Sequence, residues 1–419
     1  MAIDWSWQVV SNDCNYSLIC VKQKIKLLQL QNILSVIMYA VLMDEIAKEI
    51  KERNLGIETE NGEKIGCLLW MDDVALVSKS HEELQEMLNI TKEIGTKYRI
   101  KFGEEKTKIM KMGKKAQNSA HNFTLGDMKV EQCTKYKYLG VTMSEKRNNE
   151  EHLGEVRRKV EAAFNTILAI AGSTDLRNVE LQTIWTTLSA CIVPIMTYGM
   201  EACTLNKKES NIMKQMMDNL LKRIIMTPRS TPWEPVYLET GLQDIESILL
   251  NNKISYMEKI RQGKNNTIKS ILNSQEKNGW GEKARKEKEE VMGPDWIAPA
   301  SEETRKKRIK AATNQKLTLR IKESGAQKSK VQFYLDNKKE IKAGKRARYM
   351  DKLSRKEAST IFAARTRMIE VKANFKNKFA NLKCRWCDKE EETQKHILEN
   401  CEKIDRTECG KITIEDFFT

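Results

Sequence analysis

Hydrophobic and polar positions change their rhythm several times along this chain, and each rhythm predicts a different element. Residues 1–30 show no clear period and few turn signals, so they stay unassigned. Residues 33–50 read as a helix with an apolar first half, ILSVIMYAVLM, and a charged end at Asp44, Glu45, Lys48 and Glu49. At 68–80 the run LLWMDDVALVSKS places Asp72 and Asp73 side by side among apolar residues. Burying an ionised carboxylate without a partner costs several kcal/mol, so the pair needs an explanation. A hairpin supplies one: a strand over 67–71, a tight turn at Asp72 and Asp73, and a returning strand over 74–77. Two readings of the pair stay open. Asp is a common turn former, and paired carboxylates at a hairpin tip are hard ligands suited to Mg²⁺.

Ser80 and Glu83 have the spacing of a capping box for a helix through about Ile94, with Leu84, Leu88, Thr91 and Ile94 recurring at helical intervals and Gly95 as its stop. Residues 98–102 and 108–112 alternate apolar and basic positions and predict a short strand pair. Hairpin, helix and strands in this order describe an α+β layer. From residue 145 the period becomes helical, carried first by Val156, Val160, Phe164, Ile167 and Leu168. A second helical segment covers 179–200, interrupted by Pro194, and a third covers 210–226 before Pro228, Pro232 and Pro235 close the block. Lys, Glu, Arg, Asn and Gln dominate from about 264, so 264–345 reads as a charged linker, solvated or partly disordered, with an interaction surface as the alternative. Beyond it Phe362, Met368, Val371, Phe375, Phe379 and Leu382 lie close to one helix face. Residues 352–383 hold nine Lys or Arg against two Glu, so the other face of that helix is basic and can contact phosphates.

Composition narrows the class. A chain of 419 residues exceeds one typical core and predicts two or three domains. Charged residues reach 31% while aromatics stand at 6%, a balance that suits helix-rich structure with modest cores. The formal charge of +15 points to a polyanionic partner, and nucleic acid is favoured over acidic membrane because no basic amphipathic helix precedes an anchor. The longest apolar run, 33–43, falls far short of the ~20 residues a spanning helix needs. Asp4 stands early, and no basic patch followed by an apolar core marks a secretory signal, so an intracellular protein of nucleus or cytoplasm is expected. Six of the ten cysteines, Cys14, Cys20, Cys67, Cys133, Cys191 and Cys203, are scattered and read as reduced core residues.

The remaining four behave differently. CRWCDKEEETQKHILENC places Cys384, Cys387, His396 and Cys401 as C-x₂-C-x₈-H-x₄-C. Three thiolates and an imidazole at this spacing can close tetrahedrally on Zn²⁺, and with no open position the site would be structural. Trp386 lies inside the knuckle and either stacks on a base or packs beneath the metal. Cys409 is a spare thiol at a poorer spacing.

Several motifs in order give a resemblance. From about residue 30 the chain resembles the C-terminal part of the reverse transcriptases of non-LTR (LINE-type) retrotransposons. WMDD at Trp70 to Asp73 looks like the aromatic-x-Asp-Asp metal box of the palm, with Trp where Phe or Tyr is usual. The stretch from Gln31 through Ser35 resembles the box that begins Gln-Gly and continues Leu-Ser-Pro, with Asn32 and Val36 departing from it. KFGEEKTKIM resembles the palm segment whose Lys, here Lys106, lies near the incoming nucleotide; Gly103 stands where Asn is common. KYLGV at Lys137 to Val141 is similar to the primer-grip hairpin, TYGMEACTL and the helices after it resemble the thumb, and the Cys-Cys-His-Cys cluster has counterparts in many such elements. The resemblance implies an RNA-directed DNA polymerase fold of class α+β: a partial palm at 31–144, a helical thumb-like region at 145–263, the linker, and a basic helix plus zinc knuckle at 346–419. It implies Mg²⁺ on Asp72 and Asp73, a leaving-group role for Lys106, and substrate or primer contacts at Gln31, Ser35, Tyr138, Leu139 and Gly140. It also implies a third palm carboxylate upstream, within a run such as Phe-x-Asp, and residues 1–30 contain no match. Negligible polymerase activity is therefore expected, from a 5′-truncated frame that starts inside the palm. A non-catalytic, zinc-dependent RNA- or DNA-binding protein is the alternative.

Overall fold

The structure, a computed structural model, describes residues 16–22, 33–59, 62–71, 73–112, 121–170, 180–277, 280–299, 301–407 and 412–418, with residues 16–22 and 33–39 described by backbone alone. Its contacts divide it into two compact units. One comprises Met1–Glu155, Ala202–Leu205 and Tyr256–Lys286, the other Val156–Glu201, Asn206–Ser255 and Glu287–Thr419. These units interleave along the chain, unlike the consecutive domains expected.

The first unit holds strands β1 (Tyr16–Lys22), β2 (Ile57–Glu58), β3 (Lys64–Ile65), β4 (Cys67–Trp70), β5 (Asp73–Ser78), β6 (Lys108–Met112), β7 (Phe123–Leu125) and β8 (Met128–Gln132). Six of them form one sheet in the order β4-β5-β1-β6-β8-β7, antiparallel except where β6 meets β8. The segment left unassigned in the sequence thus supplies an inner strand. Two helices, α1 (Ile33–Glu52) and α2 (His81–Lys97), cover one face, where Met43, Ile46, Ile50, Leu84, Met87 and Leu88 meet Val74, Leu76 and Ile109. Ala75, Val77 and Met110 point to the other face and pack with Ile57 and Tyr138. Because β5 is buried on both sides, its sequence is a continuous apolar run rather than an alternating one.

Local chemistry sets the borders. The Ser80 hydroxyl caps α2 by accepting from the Glu83 amide at 3.1 Å, but the box is not closed: the Glu83 carboxylate instead accepts from the Ser78 hydroxyl at 2.7 Å and from Lys64 at 3.1 Å. The helix also runs past Gly95 to Lys97, so residues 98–102 turn back instead of forming a strand; a 3-10 turn, Glu104–Lys106, then leads into β6. A separate hairpin, β9 (Lys135–Tyr138) and β10 (Val141–Ser144), turns at Leu139 and Gly140 with φ of 44° and 86°, the pair of positive values that a tight primed turn requires.

Helices fill most of the remainder: α3 (Glu150–Ile170), α4 (Leu181–Thr187), α5 (Val193–Thr197), α6 (Lys207–Ile224), α7 (Trp233–Thr240), α8 (Ile245–Gln262), α9 (Asn266–Lys277), α10 (Trp280–Met292), α11 (Glu302–Gly325), α12 (Ser329–Asn337), α13 (Tyr349–Lys352) and α14 (Arg355–Arg365). Pro194 does not break its segment. A π turn, Leu188–Ile192, joins α4 to α5 and widens the ladder just before the proline, which lacks the amide proton an α turn would use. The expected linker at 264–345 is instead largely helical. Its apolar residues are few but regularly placed, and in α11 Ile309, Leu317 and Ile321 are fully buried. The basic helix expected through residue 383 ends at Arg365, where Arg367 turns the chain with φ 52°; a 3-10 segment, Lys372–Lys378, carries most of the later positions. Of the scattered cysteines, Cys203 is buried as expected but Cys191 is exposed. Among the described residues no helix is long and apolar enough to cross a membrane.

Candidate metal centres

The acidic hairpin differs in register from the one expected. Trp70 pairs with Asp73, so Met71 follows the end of β4 and Asp73 begins β5. Met71 takes a φ of 52° there and is exposed, whereas Asp73 is only 7% exposed. The sequence reading put both acids at the tip because it ended β4 one residue late. Asp72 itself, like Gln31 and Cys409, lies outside the described residues, and Ser35 is placed only as backbone on α1.

The neighbours of Asp73 follow from the ladders. β1 lies between β5 and β6, with Lys22 opposite Asp73 and Cys20 opposite Lys108. Asp73 and the turn bearing Lys106 therefore flank the same end of β1. The Lys106 carbonyl accepts from the Tyr136 hydroxyl at 3.0 Å, which ties that turn to the β9–β10 hairpin. Tyr138 and Leu139 of the hairpin also line a cavity of about 200 Å³ with Cys67, Trp70 and Ala47. Burial, assisted by the charge of Asp44, pushes the Cys67 thiol up to about 12, so it is neutral in this cavity. The residues YSLICVK of β1 include no Asp or Glu, so no carboxylate stands on the strand beside Asp73.

The second centre is in the other unit. Ligand atoms of Cys384, Cys387, His396 and Cys401 all lie within 4.8 Å of one another. Cys384 and Cys401 sulfurs are 3.8 Å apart, and Cys387 Sγ is 3.3 Å from His396 Nε2. Zn–S bonds of about 2.3 Å imply tetrahedral S···S edges of about 3.8 Å, so the donor set fits Zn²⁺ in both chemistry and spacing.

Backbone geometry builds this cluster. In the knuckle the Cys384 amide donates to Glu390 O at 2.7 Å and the Asp388 amide to Cys384 O at 2.9 Å, with Asp388 at φ 55°. Amides of Lys389 and Glu390 then favour the Cys387 thiolate, and with Cys384 and His396 they bring its pKa down to about 6. The x₄ spacing is met by a π turn, His396–Asn400, closed by the Cys401 amide on His396 O at 2.7 Å. An α turn would carry Cys401 round the axis away from His396; the wider turn brings both to one side. Arg406 braces the turn by donating to Ile397 O, Leu398 O and Cys401 O, each at 2.8 Å.

Glu390 was not singled out in the sequence, where it is one acid in the run DKEEE. Its carboxylate sits 2.8 Å from His396 Nδ1, which fixes the imidazole with Nε2 toward the sulfurs. Glu392 from the same run is fully buried: Arg385 pairs with it, and the Arg385 and Lys372 amides donate to it at 2.8 and 3.1 Å. Trp386 is 49% exposed, and the Arg385 guanidinium lies 5.1 Å from its ring centre.

No curated protein matches the chain. Residues 32–143, from α1 through the β9–β10 hairpin, match the family model for reverse transcriptase (RNA-dependent DNA polymerase), and a reverse transcriptase domain occupies that part of the chain.

Proposed function

We propose that the chain derives from the RNA-directed DNA polymerase of a LINE-type retrotransposon, binds nucleic acid, and does not itself polymerise. The observation that carries this reading is the strand beside Asp73. A two-ion centre needs carboxylates that converge from more than one segment to hold both cations against a transferring phosphoryl group. Here β1 contributes no acid and its register sets Lys22 opposite Asp73. Without an acid from that strand, Asp73 lacks the second converging segment on which a two-ion site depends. Asp72 and Asp73 would be the remaining ligands for Mg²⁺, and Lys106 flanks the same end of the sheet. Primer extension on an RNA template with Mg²⁺ or Mn²⁺ tests the reading. No synthesis is expected, and robust synthesis abolished by Asp72→Ala overturns it.

The nucleic-acid function rests on the charge of +15 and on the Cys384, Cys387, His396, Cys401 cluster, whose spacing suits a structural Zn²⁺. In this second reading the metal orders the C-terminal segment and the protein acts as a zinc-dependent RNA- or DNA-binding module. Cys384→Ser with Cys387→Ser should then weaken oligonucleotide binding, as should a zinc chelator. Unchanged binding in both cases counts against it.

A further inference from the structure

We propose that Lys330, Arg367 and Lys378, arrayed over Phe333 and Phe375, form a phosphate-binding face for the backbone of a single-stranded nucleic acid. This rests on the nucleic-acid reading above and assigns it a surface outside the zinc cluster.

The face is assembled from three segments. Lys330 and Phe333 come from α12, Arg367 from the turn after α14, and Phe375 and Lys378 from the 3-10 segment. Lys330 Nζ and Lys378 Nζ are each 5.1 Å from the Phe375 ring centre, so the two ammonium groups lie within about twice that distance of each other. Arg367 packs its guanidinium 3.9 Å from the Phe333 ring centre, and Lys330 Nζ also reaches Met368 Sδ at 3.4 Å. None of the three has a carboxylate within ion-pair distance among the described residues. Several neighbouring cations are paired: Lys328 meets Glu234, Lys338 meets Glu239, Lys376 meets Glu391 and Arg385 meets Glu392. Residues 366–383 contain five Lys or Arg and one acid, Glu370.

Ring faces attract cations only weakly compared with an anion. Partial burial lowers the affinity of both Lys330 and Arg367 for their protons, so their charges are less well solvated here than in water. A polyanion laid across the face would satisfy all three. Phosphate groups suit this arrangement because a shared backbone presents repeated negative charge to a set of neighbouring cations. An anionic membrane, the other polyanion, would need a flat apolar or lipid-inserting element that this face does not offer.

The test uses the full-length, zinc-loaded chain and fluorescence anisotropy of a labelled single-stranded oligonucleotide over a range of salt. The variant combines Lys330→Gln, Arg367→Gln and Lys378→Gln. A charge-matched control combines Lys306→Gln, Lys307→Gln and Lys345→Gln, three exposed lysines already paired with Glu302, Glu303 and Glu340. Each phosphate contact on a single strand contributes about 0.7 to the salt slope, so the first triple should lower it by about 2 and weaken binding at least tenfold, with the control changing it far less. Arg367→Lys, which keeps the charge, should retain the slope. Equal losses in both triples overturn the face while leaving nucleic-acid binding intact; no binding by the parent chain overturns both. Loss of phosphatidylserine-vesicle binding with unchanged oligonucleotide binding also overturns it.

Discussion

His396 is fixed at both ring nitrogens, Nε2 toward Cys387 and Nδ1 toward Glu390, and this second contact decides how well the first can serve a metal. Removing the Glu390 charge should leave the ligand atoms in place but loosen the ring and lower its basicity. Glu390→Gln is therefore expected to weaken Zn²⁺ binding by about 10- to 100-fold, read by competition with a chromophoric chelator. An unchanged affinity would mean the carboxylate contributes nothing to the ligand. The convergence of Cys384, Cys387, His396 and Cys401 was legible in the sequence because His is scarce and the spacing is distinctive. Glu390 was not, since nothing separates one acid from its neighbours in DKEEE until the knuckle folds it onto the imidazole. Met71 offers a second residue-scale test. Its left-handed backbone costs about 1–2 kcal/mol relative to glycine, which adopts that region freely. The greater freedom of glycine in the unfolded chain returns about 1 kcal/mol of this. Met71→Gly should therefore be neutral to mildly stabilising in thermal unfolding, and a loss of several degrees would show that the exposed side chain has a structural partner.

At the scale of elements, the segments that the sequence under-read are held by one buried network. Glu239 of α7 is fully buried; Arg365 of α14 donates to it at 2.9 Å, Lys338 at 2.8 Å, and the Tyr334 hydroxyl of α12 also bonds it. Burial alone would raise the Glu239 carboxyl, but Lys338 and Arg365 outweigh it and hold the group below its ordinary value of 4.5. The stability this carries is present above that value and is lost as pH falls through the lower folded one. Glu239→Gln strands two largely buried cations and should cost about 3 kcal/mol at neutral pH, while flattening the acid side of the stability profile. A profile unchanged in shape would remove Glu239 as its cause. Such long-range pairs explain why residues 264–345 looked like a linker: a helix whose apolar stripe is thin reads as solvated until its polar residues find buried partners. The β4–β5 hairpin was visible because turn and strand chemistry are local, whereas β9–β10 entered only through the resemblance of KYLGV to a primer-grip hairpin. β1 was not, because YSLICVK has strand propensity but its place in the sheet depends on pairing with segments distant in sequence, as in Lys22 with Asp73 and Tyr16 with Met112. Gly241 closes α7 with φ 63°, and a Cβ there would meet the Arg346 amide nitrogen at 2.4 Å. Gly241→Ala should accordingly lower stability by about 2 kcal/mol or more, visible in denaturant unfolding.

For the whole molecule, the division into two units places the reverse transcriptase domain and the Cys/His cluster in separate compact bodies. Each has its own source of order. The sheet and its two helices are held by apolar burial on both faces of β5. Residues 384–401 have only short elements, and their backbone is organised around the Cys/His cluster, Glu390 and Arg406. Local folding that relies on ligand convergence should be lost when the metal is withdrawn, whereas a core built from buried side chains should not notice. Hydrogen exchange on the zinc-loaded chain before and after chelation separates these cases. The amides of Cys384 and Cys401, bonded to Glu390 O and His396 O, should lose protection on chelation, while the amides of β5 keep theirs. Equal loss in both units would show that the metal supports the entire fold. Unchanged protection at Cys384 and Cys401 would show that the cluster is ordered by its hydrogen bonds alone, and the zinc-dependent reading of the C-terminal segment would fall with it.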